Sequence, residues 1–246
     1  MKQYEAVIKV MEENGGFATL GYLYQNVLKI PECKWKTKTP FASIRRIVQD
    51  ERFFFKIKPG LWALNSHRKL LPSEMLPSKK RTSEDTEFTH SYYQGLLVQL
   101  GNLKKFETFV PLQDKNRIFL GKQKLQDLAS LSAIYNFTYP ELVRRAGTID
   151  VVWFNERHMP NSIFEVEHTT DMRNSLIKFV ELQDFRTEMV IVADKVRKRN
   201  FIDILKLSAF QSIQEYVHFR SYEEISEHHT QMSKLIAIEN KLRMSN

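Results

Sequence analysis

The stretches "TIDVVWF" at residues 148–154 and "IFEVEHTT" at residues 163–170 decide the expected fold of the larger part of the chain. Both have the apolar and β-branched composition of a strand, and the polar segment "NERHMPNS" joins them. A short connection of this kind favours two neighbouring antiparallel strands. We therefore expect a hairpin within an α/β sheet.

Three carboxylates fall on this hairpin. Side chains alternate across a strand, so Glu165 and Glu167 face the same side of the sheet. A turn centred near His158 sets Asp150 opposite residue 166, close to both glutamates. Crowded carboxylates in a buried sheet are destabilising unless a cation neutralises them. The pattern predicts Mg²⁺, with Mn²⁺ as an alternative ion, and Mg²⁺ held in this way supports phosphodiester hydrolysis.

The segments around the hairpin predict a mixed sheet with helices. A helix is expected from Glu87 over "EFTHSYYQGLLVQLGNLKK", and a further helix over "GKQKLQDLASLSAIYN". The apolar run "EMVIVA" predicts a strand buried on both faces. Further helices are expected from Pro140 and over "MRNSLIKFVELQDF" and "NFIDILKL", and further strands at residues 106–110 and over "EYVHF".

The N-terminal third predicts three helices followed by a tight hairpin. Gly15-Gly16 ends the first helix, and Thr19 and Thr39 are expected N-caps of the second and third. Strand-type runs flank the turn dipeptide Pro59-Gly60. This order predicts a winged helix-turn-helix whose third helix is presented to a DNA groove.

Positive charge is concentrated in the same third. Of the 37 basic and 29 acidic residues in the chain, 15 and 7 lie in residues 1–80, which leaves 22 of each in the remainder. A basic module joined to a neutral one suggests a polyanion-binding domain, although a basic domain that is merely soluble explains the charge as well.

Two motifs in this third resemble the HARE-HTH winged-helix family. They are "W-x-x-K-T-P" before the third helix and "F-F-x-x-x-P-G-L-W-A-L" in the hairpin, within residues 1–66. The resemblance implies contact with double-stranded DNA, including recognition of modified bases. Any one basic residue is also explained as a solvated charge, but the group favours DNA contact. The candidates are Lys36, Lys38, Ser43, Arg45 and Arg46, with Lys56 and Lys58 on the wing.

The hairpin motif resembles the PD-(D/E)XK nucleases across residues 87–222, and "ID-x-x-W … FEVEH" is similar to restriction-endonuclease-like bacterial domains. The resemblance implies that Asp150 and Glu165 bind the metal. Glu167 stands where lysine is usual, as an E-x-E variant, and is either a general base or a third ligand. A cation such as Lys178 or Lys195 would replace the missing lysine, unless both are ordinary surface lysines.

Four further residues with candidate side chains are Glu87, His168, His228 and His229. Glu87 is a candidate upstream metal ligand, although a favourable charge at a helix N-terminus explains it more simply. His168, on the opposite strand face, is more typical of a hydrogen-bonded core residue than of a direct participant. His228-His229 carries no predicted chemistry.

Together these patterns predict a winged-helix DNA-binding domain at residues 1–68, a linker at 69–86 and a PD-(D/E)XK nuclease-like mixed-sheet domain at 87–246. "KKR" at 79–81 belongs to the linker. The expected function is that of a Mg²⁺-dependent DNA endonuclease similar to Type II restriction enzymes. A homodimer is expected because such enzymes cut both strands of symmetric sites.

Two other functions stay open at this point. One is a non-catalytic DNA-binding regulator on a disabled nuclease scaffold, and the other is a protein-interaction module. The single cysteine, Cys33, excludes an internal disulfide. No apolar run approaches the roughly 20 residues of a membrane span, and the N-terminus lacks the pattern of a signal peptide, so we expect a cytoplasmic protein.

Overall fold

The computed structural model describes residues 1–76, 83–169 and 171–244. The chain divides into two units: Met1–Asp85 with Ser226–Asn246, and Thr86–Ile225. Both helices and sheets are present, so the fold is mixed α/β. The basic run at 79–81 lies outside the described residues.

The first unit begins with helices and a small antiparallel sheet. Its strands are ordered β1-β3-β2. The hairpin and the three helices match the predicted order, but the short first strand was not predicted. It spans three residues and is stabilised by pairing with a strand more than 40 residues away, which no local pattern reveals. The elements are α1 (Gln3–Glu13), β1 (Phe17–Thr19), α2 (Leu20–Asn26), α3 (Pro40–Ile47), β2 (Phe54–Lys58) and β3 (Leu61–Leu64).

Local chemistry accounts for the ends of these helices. Gly15 and Gly16 have φ of 83° and 90°, a conformation that glycine adopts without steric cost, and they end the first helix. The Thr19 hydroxyl accepts a hydrogen bond from Tyr22 N at 3.1 Å and caps α2. Pro40 occupies the first turn of α3, where its missing N–H is not needed.

The second unit is built on a five-stranded mixed sheet in the order β10-β9-β8-β7-β4. The strands β8, β9 and β10 are mutually parallel, whereas β7 is antiparallel to both of its neighbours. From residue 83 the elements are α4 (Ser83–Leu103), β4 (Glu107–Phe109), β5 (Ile118–Leu120), β6 (Gln123–Lys124), α5 (Leu125–Leu128), α6 (Pro140–Ala146), β7 (Val151–Phe154), β8 (Pro160–Glu167), α7 (Arg173–Glu181), β9 (Glu188–Ala193), α8 (Lys198–Leu205), β10 (Val217–Ser221) and α9 (Tyr222–Met244).

Both faces of this sheet are buried. Val152 and Ile163 face a core that includes Leu176 and Phe179 of α7. On the other face, Trp153 donates a hydrogen bond from Nε1 to the carbonyl oxygen of Leu97 in α4 at 3.1 Å. As predicted, β9 is buried on both faces, since Met189–Ala193 are all buried, and it pairs with β8 and β10 along its two edges.

The predicted helix over "GKQKLQDLASLSAIYN" was wrong. Gly121, at φ 61°, makes a tight turn between β5 and β6, and only Leu125–Leu128 is helical. The following segment pairs with the edge strand β4 instead. Thr108 and Ser130 exchange hydrogen bonds between backbone N–H groups and side-chain oxygens, and Leu131 N donates to the Thr108 carbonyl at 3.0 Å. This tertiary pairing overrides the local helical pattern.

The helix α9 passes from one unit into the other. Its residues from Ser226 onward cluster with the N-terminal unit, whereas the sequence placed all of 87–246 in one domain. Gly21 of α2 packs so closely on α9 that an added Cβ would lie 2.5 Å from Ser233 Oγ. His229 is buried at this contact, and burial lowers the pKa of its imidazole to about 4. The histidine is therefore neutral at pH 7 and serves packing.

No helix within the described ranges combines the length and apolar character needed to cross a bilayer.

Candidate active site

The pairing of β7 with β8 sets the positions of the acidic residues. Val151 lies opposite Phe164, so the register continued by one residue places Asp150 opposite Glu165. The predicted partner, residue 166, was wrong by one position, and the ladder has an irregularity between Trp153 and Phe154. The correction matters because directly opposite residues share a face, whereas Val166 faces away from the glutamates.

Glu165 is buried and tightly held. Lys178 Nζ of α7 donates to its Oε1 and Oε2 at 2.8 and 2.9 Å, and Ser175 Oγ donates to Oε2 at 2.8 Å. The ammonium of Lys178 also donates to the carbonyl oxygen of Thr148 at 2.9 Å. Burial raises the pKa of the Glu165 carboxyl to about 8, and the charge of Asp150 adds to this rise while Lys178 and Ser175 oppose it.

Glu167 shares a hydroxyl with Glu165. Ser175 Oγ lies within hydrogen-bonding distance of both carboxyl groups, but it carries one proton and donates to one of them at a time. Burial also raises the pKa of the Glu167 carboxyl, against the hydrogen bond from Ser175. Burial therefore favours the protonated form of both glutamates.

Asp150 stands at the head of β7 and is only 8% exposed. Its Oδ2 accepts a hydrogen bond from Val166 N at 2.7 Å, which fixes the carboxylate to the neighbouring strand. Its Oδ1 lies 3.5 Å from His90 Nε2 of α4. Asp150 thus contacts β8 through Val166 N and α4 through His90.

His90 and Asp114 were not predicted as site residues. The ligand atoms of His90, Asp114 and Asp150 all lie within 4.8 Å of one another. Burial lowers the pKa of the His90 imidazole, but its polar and charge interactions with Asp150, with the charge of Asp114, outweigh burial and raise the pKa. The sequence signal for His90 is its position one helical turn after the candidate ligand Glu87. Asp114 lies in the loop between β4 and β5, and no local sequence pattern indicates a role for it.

The predicted upstream ligand, Glu87, lies at the surface. Its side chain is 64% exposed, and its carboxylate is 3.9 Å from Arg117 Nε. Within the described residues it is not part of the group formed by His90 and the two aspartates. His168 faces away from the glutamates, as expected, and its Nδ1 lies 2.7 Å from the hydroxyl of Tyr222. Lys195, the alternative cation, is exposed.

The proposed DNA-contacting residues all belong to the first unit. Lys36, Lys38, Arg46 and Lys56 are exposed, and Ser43 and Lys58 are partly exposed. Arg45 is half-exposed, and its guanidinium binds the carboxylate of Glu227 in α9 through two hydrogen bonds of 3.2 and 2.8 Å. The pair lies at the surface, so its net contribution to stability is small, about 0–1 kcal/mol.

The donor set around Glu165 fits a hard divalent cation. Mg²⁺ prefers carboxylate oxygens, and Asp150 and Glu165 supply one each on adjacent strands. Among the described residues, Glu165 Oε1 accepts a hydrogen bond from Lys178 alone, so a lone pair stays available for an ion. Glu167 would complete the set or accept a proton from water.

Comparisons with known proteins relate the chain to a Type II restriction enzyme. A family model described as the C-terminal domain of the Type II restriction enzyme NmeDI matches residues 70–242. The chain is 28% identical over 137 residues to the Type II restriction enzyme NmeDI of Neisseria meningitidis serogroup C. The match covers 50% of this chain and 39% of that enzyme. No solved structure matches the chain significantly.

Proposed function

The chain belongs to the family of the NmeDI C-terminal domain, and on this premise we propose that it is a Mg²⁺-dependent DNA endonuclease of restriction type. The observation that carries the proposal is the placement of Asp150 directly opposite Glu165, with Lys178 on Glu165. The sheet order and flanking helices support a PD-(D/E)XK nuclease core in the second unit.

The residues of the site have separate roles in phosphodiester hydrolysis. Asp150 and Glu165 would hold Mg²⁺, which would offset phosphate charge and lower the pKa of a water molecule. Lys178 offsets the charge of Glu165 and takes the place of the lysine that Glu167 replaces in the strand motif. Glu167, whose pKa is raised by burial, accepts a proton from the attacking water.

The presence of Lys178 in the site bears on the alternative of a disabled nuclease. That alternative was motivated by the missing lysine, and α7 supplies an ammonium group at hydrogen-bonding distance from Glu165. The E-x-E motif is thus compatible with a complete set of catalytic groups.

A cleavage assay tests the proposal directly. Plasmid and phage DNA, with and without modified cytosines, are incubated with the full chain in Mg²⁺ or in a chelator. We expect defined fragments with Mg²⁺ and none with the chelator. Absence of cleavage across the panel, with binding of Mg²⁺ undetectable by calorimetry, would favour the non-catalytic alternative.

The first unit is the proposed DNA-reading part. Three helices followed by the β2–β3 hairpin support a winged helix-turn-helix, with α3 presented to DNA and Lys56 and Lys58 on the wing. Arg46 is exposed on α3, whereas Arg45 must leave Glu227 before it contacts a phosphate. Because that surface pair is weak, DNA phosphates can displace it.

Arg46→Ala tests this surface. We expect DNA affinity to fall about fivefold at 0.1 M salt, and the slope of log affinity against log salt to become shallower by about one, because one phosphate contact is lost. Fluorescence anisotropy over a salt series measures both quantities. Lys9→Ala, on α1 of the same unit, is the matched control and should leave the slope unchanged. An unchanged slope in Arg46→Ala would place the DNA elsewhere.

A homodimer remains part of the proposal, because two copies would cut the two strands of a symmetric site.

A further inference from the structure

His90 directs one ring nitrogen at two buried carboxylates. Its Nε2 lies 3.5 Å from Asp150 Oδ1 and 3.9 Å from Asp114 Oδ2. Asp114 and Asp150 are 2% and 8% exposed, so neither is an ordinary surface acid. The three groups come from α4, the loop before β5 and the head of β7. Their convergence is therefore a product of the tertiary fold.

The distances suit ligands of a common ion better than direct hydrogen bonds. Hydrogen bonds from nitrogen to oxygen span roughly 2.7–3.2 Å, and both separations from His90 are longer. Two ligand atoms that each lie about 2.1 Å from one ion are roughly 3–4 Å apart, depending on the angle between them. Both separations from His90 fall in this range, and the ligand atoms of all three groups lie within 4.8 Å of one another.

Neighbouring groups already orient both carboxylates. Asp150 Oδ2 is held by Val166 N, which leaves Oδ1 toward His90. Asp114 Oδ1 is 2.8 Å from Arg117 Nε, while its Oδ2 faces His90. Metal-binding carboxylates are commonly fixed by such outer contacts. Each aspartate thus presents one oxygen to the same point.

A second observation comes from Gln94. This side chain is fully buried, and its Nε2 donates to Asp114 Oδ2 at 2.8 Å and to the Asp150 carbonyl at 3.2 Å. Its Oε1 has no hydrogen-bond partner in the part of the chain that the structure describes. Buried acceptors are normally satisfied. A water molecule carried by a bound ion would supply the missing donor.

We propose that His90, Asp114 and Asp150 bind a divalent transition-metal ion. An imidazole with two carboxylates favours such ions over Mg²⁺, which prefers oxygen ligands alone. Asp150 is shared with the proposed Mg²⁺ site. The inference concerns metal binding without DNA, so it stands or falls independently of the cleavage proposal.

The test uses Mn²⁺ as the probe and the full chain without DNA. Electron paramagnetic resonance counts bound Mn²⁺, and electron spin-echo modulation detects a directly bound nitrogen. We expect one Mn²⁺ with nitrogen coupling, bound at least about tenfold more tightly than Mg²⁺ in competition. A spectrum of the parent chain without nitrogen coupling overturns the proposal. This measurement does not depend on the folding of any variant.

Variants then identify the nitrogen. In His90→Gln we expect loss of the nitrogen coupling and a fall in Mn²⁺ affinity of at least about tenfold, with Mg²⁺ affinity little changed. His168→Gln is the matched control, because its ring centroid lies 5.4 Å from that of His90, and it should keep the coupling. Coupling that survives in His90→Gln, or disappears in His168→Gln, contradicts the assignment. Thermal unfolding checks that both variants are folded.

Discussion

Replacing Asp150 by asparagine is expected to lower the rate of DNA cleavage at least about a thousandfold. Metal-ion stabilisation of the transition state is worth several kcal/mol, and each 1.36 kcal/mol corresponds to a factor of ten in rate. Asparagine keeps an oxygen that can accept the hydrogen bond from Val166 N, so the strand pairing is retained. Single-turnover cleavage in Mg²⁺ measures the loss.

Two further measurements separate chemistry from folding in this variant. The charge of Asp150 raises the pKa of Glu165, so removing it should not reduce thermal stability. DNA affinity should also be retained. Glu156→Gln, an exposed carboxylate in the loop of the same hairpin, is the control and should cleave like the parent. If Asp150→Asn cleaves at the parental rate, the assignment of the active site is wrong.

Lys178→Met is expected to slow cleavage about a hundredfold, the usual cost of removing one positioned charge or hydrogen-bond donor from an active site. Methionine fills much of the volume of the lysine stem without the ammonium that contacts both oxygens of Glu165. Single-turnover rates over a Mg²⁺ series would show whether the loss lies in the chemical step or in metal affinity.

Lys195→Met is the matched control for this experiment, since Lys195 is exposed and is the alternative cation that the sequence indicates. It should leave the cleavage rate unchanged. Equal loss in both variants would indicate a general effect of charge on DNA binding. An unchanged rate in Lys178→Met would mean that this lysine only balances a buried charge.

Periodicity and turn chemistry predicted most of the elements from the sequence. The turn at Pro59-Gly60 and the helix from Pro40 follow from local rules, and so does the apolar strand β9. The helix predicted after Gly121 failed because Ser130 and Leu131 pair with β4, a contact formed only in the folded chain. Local sequence patterns also do not indicate that Ser226–Asn246 groups with the first unit.

The site was predictable where it follows the strand period. Glu165 and Glu167 are two positions apart on one strand, so their shared face could be inferred. His90 and Asp114 come from segments distant in sequence from Asp150, and no local pattern in a single sequence indicates that the three lie close together. The sequence leaves Lys178 and Lys195 as alternative cations, and the packing of α7 on the sheet distinguishes the two.

The membership of α9 in the N-terminal unit has a consequence for synthesis. Residues 86–225 interrupt this unit, and its remaining helix, from Ser226 onward, is translated only after them. At ribosomal speeds of roughly 5–20 residues per second, the interval is on the order of ten seconds. A nascent chain arrested before Ser226 therefore contains all of residues 86–225 but leaves the surface around Gly21 uncovered. Co-translational folding of the first unit can finish only after the second has emerged.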